Sequence, residues 1–260
     1  MSVDLNELWQ WLGQFLIHFV RVGAVFSVAP ILGSSSIPAQ LRVAVAVPVT
    51  AWIAYVSGTP GDLAAMDPLS ISGFIFIAGQ FAIGIAIGFV LRMVFSALEI
   101  GGQIISMQMG LGFAEMSDPQ TGARVPTVGH LYNVLGTLIF IGLDGHLLLI
   151  KLLLDSYHLL PISAGGLPPL GARELAHWGS AMFQGAVMLA LPAMAALLAV
   201  NLATGVMTRA VPQFNMMIAF PLILLMGLVV LLVTLPQVDE QLQGMLESAW
   251  ETIGRVLGNG

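Results

Sequence analysis

The chain has 260 residues, of which 57% are hydrophobic and 8% are charged, and its mean hydropathy is +0.93. Soluble domains carry about 25% charged residues, so this composition indicates an integral membrane protein, and the long unbroken apolar runs favour helices over a β-barrel. The formal net charge of −6 argues against nucleic acid as a partner, and the lack of cysteine excludes disulfides and thiolate metal sites.

Six apolar runs predict the helices of the protein. In chain order they cover residues 8–32, 41–57, 69–91, 128–154, 175–204 and 216–235. The last run holds about twenty residues without a charge, enough to span an apolar bilayer core of about 30 Å. Prolines inside several runs predict bent helices. We therefore expect an all-α, polytopic membrane protein with about six long, partly bent apolar helices.

Three smaller patterns add to this outline. The first residues are acidic, whereas a signal peptide begins with basic residues, so we expect no cleaved signal. Inside the third run, Gly84 and Gly88 form a small-residue face that allows another helix to approach closely. The tail from Val238 to Leu257 keeps an apolar face at helical spacing, which requires a partner helix or a membrane surface.

The placement of arginines predicts the orientation in the membrane. Alternate loops of the six-run pattern carry Arg42, Arg92, Arg124 and Arg209. The loop at residues 58–67 instead carries acids and no base. Because basic residues favour the cytoplasmic side, we expect both termini outside and the segment after the third run inside.

The segment from Met107 to Gly122 interrupts the apolar pattern with methionines, glycines and an Asp-Pro turn signal. An irregular segment between membrane helices must lie in water, be buried in protein or line a cavity. Methionine side chains re-pack easily and glycine frees the backbone, so we interpret the segment as a gasket in a passage; a plain connection is the alternative. Its key residues are Met107, Met109, Gly110, Gly112, Phe113, Met116, Asp118, Pro119 and Gly122.

Several ionisable residues lie in or beside the apolar runs, and charged groups at membrane depth usually face a partner or a wet cavity. Those that we expect to be buried are Arg21, Arg92, Glu99 and Asp144. Interhelical ion pairs or side chains that reach the interface are the favoured explanation. An ion path in a small-solute or proton-coupled secondary transporter is the alternative, but such a transporter also predicts an inverted repeat, and the sequence has no clear one.

Asp144 and His146 are the residues that raise the question of enzyme chemistry. An intramembrane aspartyl protease requires a second aspartate on a facing helix, and the other nearby acid, Asp155, lies on the same stretch. The sequence contains no Gly-x-Ser-x-Gly elbow and no His-Glu-x-x-His spacing. We therefore expect no catalytic, cofactor-binding or metal-binding residue, and no enzyme.

Three motifs identify the chain with a known family. The first is Phe19-x-Arg21 with Ala29-Pro30, Gly33, Ile37-Pro38 and Arg42; the second is Gly110-Leu-Gly112-Phe113-Ala114 with Asp118-Pro119, Gly122 and Pro126; the third is Val211-Pro212-Gln213-Phe214-Asn215 with Phe220-Pro221. With these motifs the chain resembles, over nearly its whole length, the FliR family. Members of this family are the single-copy component of the flagellar type III secretion export gate, and they have relatives in virulence injectisomes.

The resemblance implies an architecture and a set of partners. Residues 1–174 would be built like FliP, and residues 175–260 would form a FliQ-like hairpin with an amphipathic extension. The chain would assemble with FliP and FliQ around a pore in the bacterial inner membrane, at the flagellar basal body. Together with FlhB and FlhA, this gate passes unfolded flagellar subunits out of the cytoplasm, and no cofactor is implied.

The resemblance also implies roles for particular residues. Residues 107–122 correspond to the plug that closes the resting pore. The turn between the last two helices would form a cytoplasmic tip near the gate entrance and FlhB, and its residues are Arg209, Pro212, Gln213 and Asn215. Helices of the assembled gate bend and sit partly above the bilayer, so the six-run pattern is not expected to equal six simple spans.

Overall fold

The structure is a computed structural model that describes residues 5–34, 37–57, 70–111, 127–162, 166–211 and 216–258. These residues form seven α-helices, and no strand occurs among them. In chain order the helices are α1 (Leu5–Val28), α2 (Ala39–Ser57), α3 (Ile71–Gln108), α4 (Thr127–Gly142), α5 (Gly145–Leu159), α6 (Pro169–Ala210) and α7 (Met216–Val256). The predicted all-α class is confirmed.

Four helices are long and apolar enough to cross a membrane, and they are α2, α3, α6 and residues 219–256 of α7. If α4 and α5 together are counted as one span, the number of candidate spans is five, although the chain bends by 69° between these two helices. The first apolar run gives a shorter apolar helix, residues 15–28. By length and composition, the described residues therefore provide four or five candidate spans rather than six.

The break between α4 and α5 corrects the prediction of one continuous fourth helix. Asp144 adopts the left-handed conformation, with φ 55° and ψ 27°, between Gly142 and Gly145. Aspartate is one of the few residues that tolerate this region. The Asp144 carbonyl then accepts hydrogen bonds from the N–H groups of Leu147 and Leu148, 2.9 Å and 3.1 Å away, which begin α5. Asp144 is therefore the residue at which the chain turns.

The chain divides into two compact units that are each discontinuous in sequence. The first unit comprises residues 1–93, 141–178 and 248–260, and the second comprises residues 94–140 and 179–247. One boundary between the units, at residues 178 and 179, lies close to the division at residue 174 that the family resemblance implies, but neither unit is continuous in sequence, and that division stays a prediction.

In the first unit, α1 and α3 cross at close range. A Cβ built on Gly84 would lie 2.5 Å from the Arg21 carbonyl oxygen, and one on Gly88 would lie 3.0 Å from that of Val25. Larger side chains would therefore push the two helices apart, which is the contact that the small-residue spacing predicts. In the same unit, the indole Nε1 of Trp178 donates to the Val90 carbonyl, 3.0 Å away.

In the second unit, α3 meets two helices at neighbouring residues. A Cβ on Gly102 would lie 2.6 Å from Cα of Gly129 in α4, and one on Gly101 would lie 3.0 Å from the Ala186 carbonyl oxygen in α6. Because Gly101 and Gly102 have no side chains, the backbone of α3 can lie in direct contact with both α4 and α6. The apolar face of the tail is buried in the chain, as the helical spacing predicts, with Val238 and Leu242 in this unit.

Candidate functional site

The methionine- and glycine-rich segment begins with an ordered helix end in the second unit. Helix α3 continues to Gln108, so the prediction that the irregular segment starts at Met107 is wrong by two residues. The structure describes Met107, Met109 and Gly110 of the predicted plug. The other predicted plug residues lie outside the described residues, and they are Gly112, Phe113, Met116, Asp118, Pro119 and Gly122.

Gly110 terminates α3 in a defined turn. Its φ is +79°, a conformation that glycine adopts without steric cost. The Gly110 N–H donates to the Met107 carbonyl and the Leu111 N–H donates to the Ser106 carbonyl, each at 3.1 Å. This pair of hydrogen bonds is the Schellman motif, which satisfies carbonyls at a helix end. Gly110 therefore has a specific backbone role, which the interpretation as general flexibility missed.

Side chains of α6 and α7 hold the same helix end. The amide Nδ2 of Asn201, on α6, donates to the Gln108 carbonyl at 3.3 Å, a group that the helix itself leaves unpaired. From α7, a ring carbon of Phe220 lies 3.4 Å from a Cβ built on Gly110. The sequence gives no direct signal for either contact, because Asn201 and Phe220 are about 90 and 110 residues away along the chain.

Met107 and Met109 differ sharply in their surroundings. Met109 is 4% exposed and packs on Gly227 of α7, whereas Met107 is 61% exposed. Sequence spacing alone treats the two as equivalent members of one gasket. At this end of the segment Met107 is therefore exposed, while Met109 is enclosed in the protein interior.

A buried arginine organises the first unit. Arg21 is fully buried, and five hydrogen bonds surround its guanidinium group. Nε donates to Gln80 Oε1 at 2.8 Å and Nη2 donates to the same oxygen, so Gln80 on α3 accepts both bonds. Nη1 donates to the Ser156 carbonyl and Nη2 to the Leu160 carbonyl, both at 3.0 Å, and Nη1 also reaches Ser156 Oγ at 3.3 Å.

An aromatic pair completes the arginine cluster. The guanidinium carbon lies 4.2 Å from the centre of the Tyr157 ring, a cation–π contact that requires no carboxylate. Tyr157 stacks on His18 with ring centres 5.2 Å apart, and its hydroxyl donates to the His18 carbonyl at 3.2 Å. Because its N–H groups are used, Arg21 ties α1, α3 and the end of α5 together rather than offering a donor to a ligand. Gln80 and Tyr157, polar side chains in apolar runs, were the signal that sequence reasoning missed.

The other ionisable residues expected to be buried are exposed in the isolated chain, which corrects that expectation for Arg92, Glu99 and Asp144. Arg92 and Glu99 lie seven residues apart on α3, on the side opposite its buried residues, and Asp144 lies at the helix break. Of the tip residues, Arg209 is exposed in the last turn of α6, and Pro212, Gln213 and Asn215 lie outside the described residues.

These features define the class of the protein. It is a helical membrane protein with several candidate spans, and neighbouring helices hold the first residues of its methionine- and glycine-rich segment. The sequence pattern of the family described as bacterial export proteins, family 1, matches residues 12–249. The chain therefore belongs to this family, and the resemblance found in the sequence is confirmed.

Curated relatives agree with the family assignment. The chain is 37% identical over 235 residues to the flagellar biosynthetic protein FliR of Escherichia coli strain K12, covering 89% of this chain and 88% of that protein. It is 32% identical over 253 residues to the FliR protein of Pectobacterium carotovorum, covering 96% and 95%. For the FliR protein of Bacillus subtilis strain 168, the identity is 26% over 258 residues, covering 97% and 98%.

Proposed function

We propose that this chain is the FliR-type subunit of a flagellar export gate, which forms and plugs a pore for unfolded flagellar proteins. The observation that carries the proposal is the family match over residues 12–249, together with relatives named for flagellar biosynthesis along most of the chain. The same match and the apolar helices support a membrane-embedded component of flagellar protein export. The comparisons give no support to a small-solute transporter.

The exposed surface supports assembly within a membrane. Many large apolar side chains on α6 and α7 are exposed, among them Leu202 at 71% and Val233 at 71%. Apolar areas of this kind require lipid or other subunits. We propose the bacterial inner membrane as the lipid environment and FliP and FliQ as the subunits. FlhB and FlhA are proposed as the further partners at the cytoplasmic side, with FlhB near the tip at Arg209–Asn215.

The role proposed for the chain requires no chemistry of its own. The proposed action is steric: the segment at residues 107–122 fills the resting pore, and the helices around it hold it in place. The exposed Met107 at the last turn of α3 supplies a flexible apolar side chain at the start of this segment.

Removal and restoration of the gene in its own bacterium test the proposal. We expect deletion to abolish the appearance of flagellar subunits in the culture medium and to abolish motility. A plasmid copy of the chain should restore both, and the restored protein should fractionate with the inner membrane. Export that continues at the wild-type level after deletion would refute the proposed function.

A further inference from the structure

The last residues of α3 are seated in a notch on α7 that exists because residue 227 is glycine. A Cβ built on Gly227 would lie 2.7 Å from both Cγ and Cε of Met109 and 3.2 Å from its Sδ. Carbon atoms without a bond prefer about 3.5–4.0 Å, so the thioether lies directly on the backbone of α7. The near-complete burial of Met109 shows that protein encloses the side chain on its other sides as well.

Two further contacts hold the residues on either side of Met109. Asn201 on α6 caps the Gln108 carbonyl, and the Phe220 ring on α7 lies against Gly110 at the turn. Helices α6 and α7 therefore each hold the end of α3, and the Schellman turn fixes the backbone between them.

We infer that Met109 and Gly227 form a latch that fixes the point at which the chain leaves α3. Met109 is thus a positioning residue for the segment that follows Leu111. The inference rests on the proposed function, in which that segment closes the pore. A side chain that fills a notch of its own shape resists sliding along α7, because any axial shift drives the thioether into a neighbouring side chain. A displacement of α7 at Gly227 consequently carries the start of the segment with it.

The first test introduces the missing methyl group. Gly227→Ala places a Cβ inside the contact distance of Met109 and forces its side chain out of the notch. Gly244→Ala is the matched control on the same helix, because a Cβ there meets nothing within 4 Å. The readout is ion leak through vesicles that contain the assembled complex, with deletion of residues 112–116 as the reference for an open pore.

We expect Gly227→Ala to raise the leak severalfold over wild type and Gly244→Ala to leave it unchanged. The double variant Met109→Ala/Gly227→Ala should leak less than Gly227→Ala alone, because the shortened side chain vacates the space that the new methyl group occupies. A Gly227→Ala complex as tight as wild type, while the deletion leaks, would overturn the latch. A double variant at least as leaky as Gly227→Ala would do the same.

A cross-link tests the contact without reference to the pore. The chain has no cysteine, so a pair can be introduced on a clean background. The contact of Met109 Cγ with the Gly227 position places the two Cβ atoms within about 4 Å, which a disulfide requires. In the assembled complex, Met109→Cys/Gly227→Cys should oxidise to an intramolecular disulfide, and Met109→Cys/Gly244→Cys should not. Failure of the first pair to cross-link would overturn the latch. A deletion variant that stays tight would instead refute the plug, and the cross-link would still decide the latch.

Discussion

Replacement of Arg21 by alanine is expected to destabilise the chain strongly. The guanidinium group joins α1 to Gln80 on α3 and to the carbonyl groups of Ser156 and Leu160 at the end of α5. Among the described side chains, every buried nitrogen and oxygen atom has a partner. Removal of a single side chain therefore breaks a fully satisfied network, which is more costly than removal of an exposed charge.

The magnitude follows from the acceptors that lose their donor. Gln80 Oε1 and the Leu160 carbonyl lose the donors that Arg21 provides, whereas the Ser156 carbonyl keeps its bond from the Leu160 N–H at 2.9 Å. Each buried acceptor left unsatisfied costs about 1–3 kcal/mol, and the vacated volume adds a cavity term. We expect a loss of about 3–5 kcal/mol in the free energy of unfolding, a large share of the ~5–15 kcal/mol typical of folded proteins.

Thermal unfolding of the chain purified in detergent measures this loss. Arg92→Ala is the matched control, because Arg92 is exposed on α3 in the isolated chain, and its replacement should change stability by less than about 0.5 kcal/mol. Arg21→Lys should be intermediate, since three donors on one nitrogen cannot reproduce the planar fork. A double-mutant cycle with Gln80→Ala should show a coupling above about 1 kcal/mol. Equal unfolding temperatures for Arg21→Ala and Arg92→Ala would show that the Arg21 hydrogen bonds do not stabilise the fold.

Gly102→Ala should lower the yield of folded chain, because its Cβ would lie 2.6 Å from the Gly129 backbone. Gly179→Ala is the control and should have little effect, because its Cβ meets nothing within 4 Å. Equal yields of the two variants would contradict the close contact of α3 with α4. Asp144→Asn should keep export, since asparagine also tolerates φ 55°, whereas Asp144→Val should reduce stability by about 1–2 kcal/mol; loss of export in Asp144→Asn would indicate a role for the carboxylate. Deletion of residues 112–116, which spares the turn at Gly110, should keep the complex assembled and increase ion leak; a tight or unassembled complex would contradict the plug.

Composition and periodicity were sufficient to predict the fold class, because both indicate directly which segments can be buried in lipid. A chain with 8% charged residues and long apolar runs has few alternatives to membrane helices. The same information does not separate Arg21 from Arg92, since both stand alone in apolar surroundings in the sequence. Arg21 is buried and Arg92 is exposed because only one of the two helix faces packs against a polar partner such as Gln80, and tertiary packing decides which face does so.

The sequence patterns also did not predict the backbone geometry at Asp144, which follows α4, or at the end of α3. Asp144 follows the apolar residues of α4 without a proline, and its left-handed backbone is a choice that Asp-Gly permits but does not impose. At the start of the predicted plug, the pattern identified Gly110 as unusual. It did not show that Met109 is enclosed while Met107 is exposed, because that difference depends on Gly227, more than a hundred residues away.

We propose that this chain works as one subunit of a larger export gate. The most direct test is native mass spectrometry of the particle extracted after co-expression with FliP and FliQ from the same bacterium. We predict a hetero-oligomer that contains a single copy of this chain. A lone monomer or a homodimer, with both partners present in the same membranes, would contradict it.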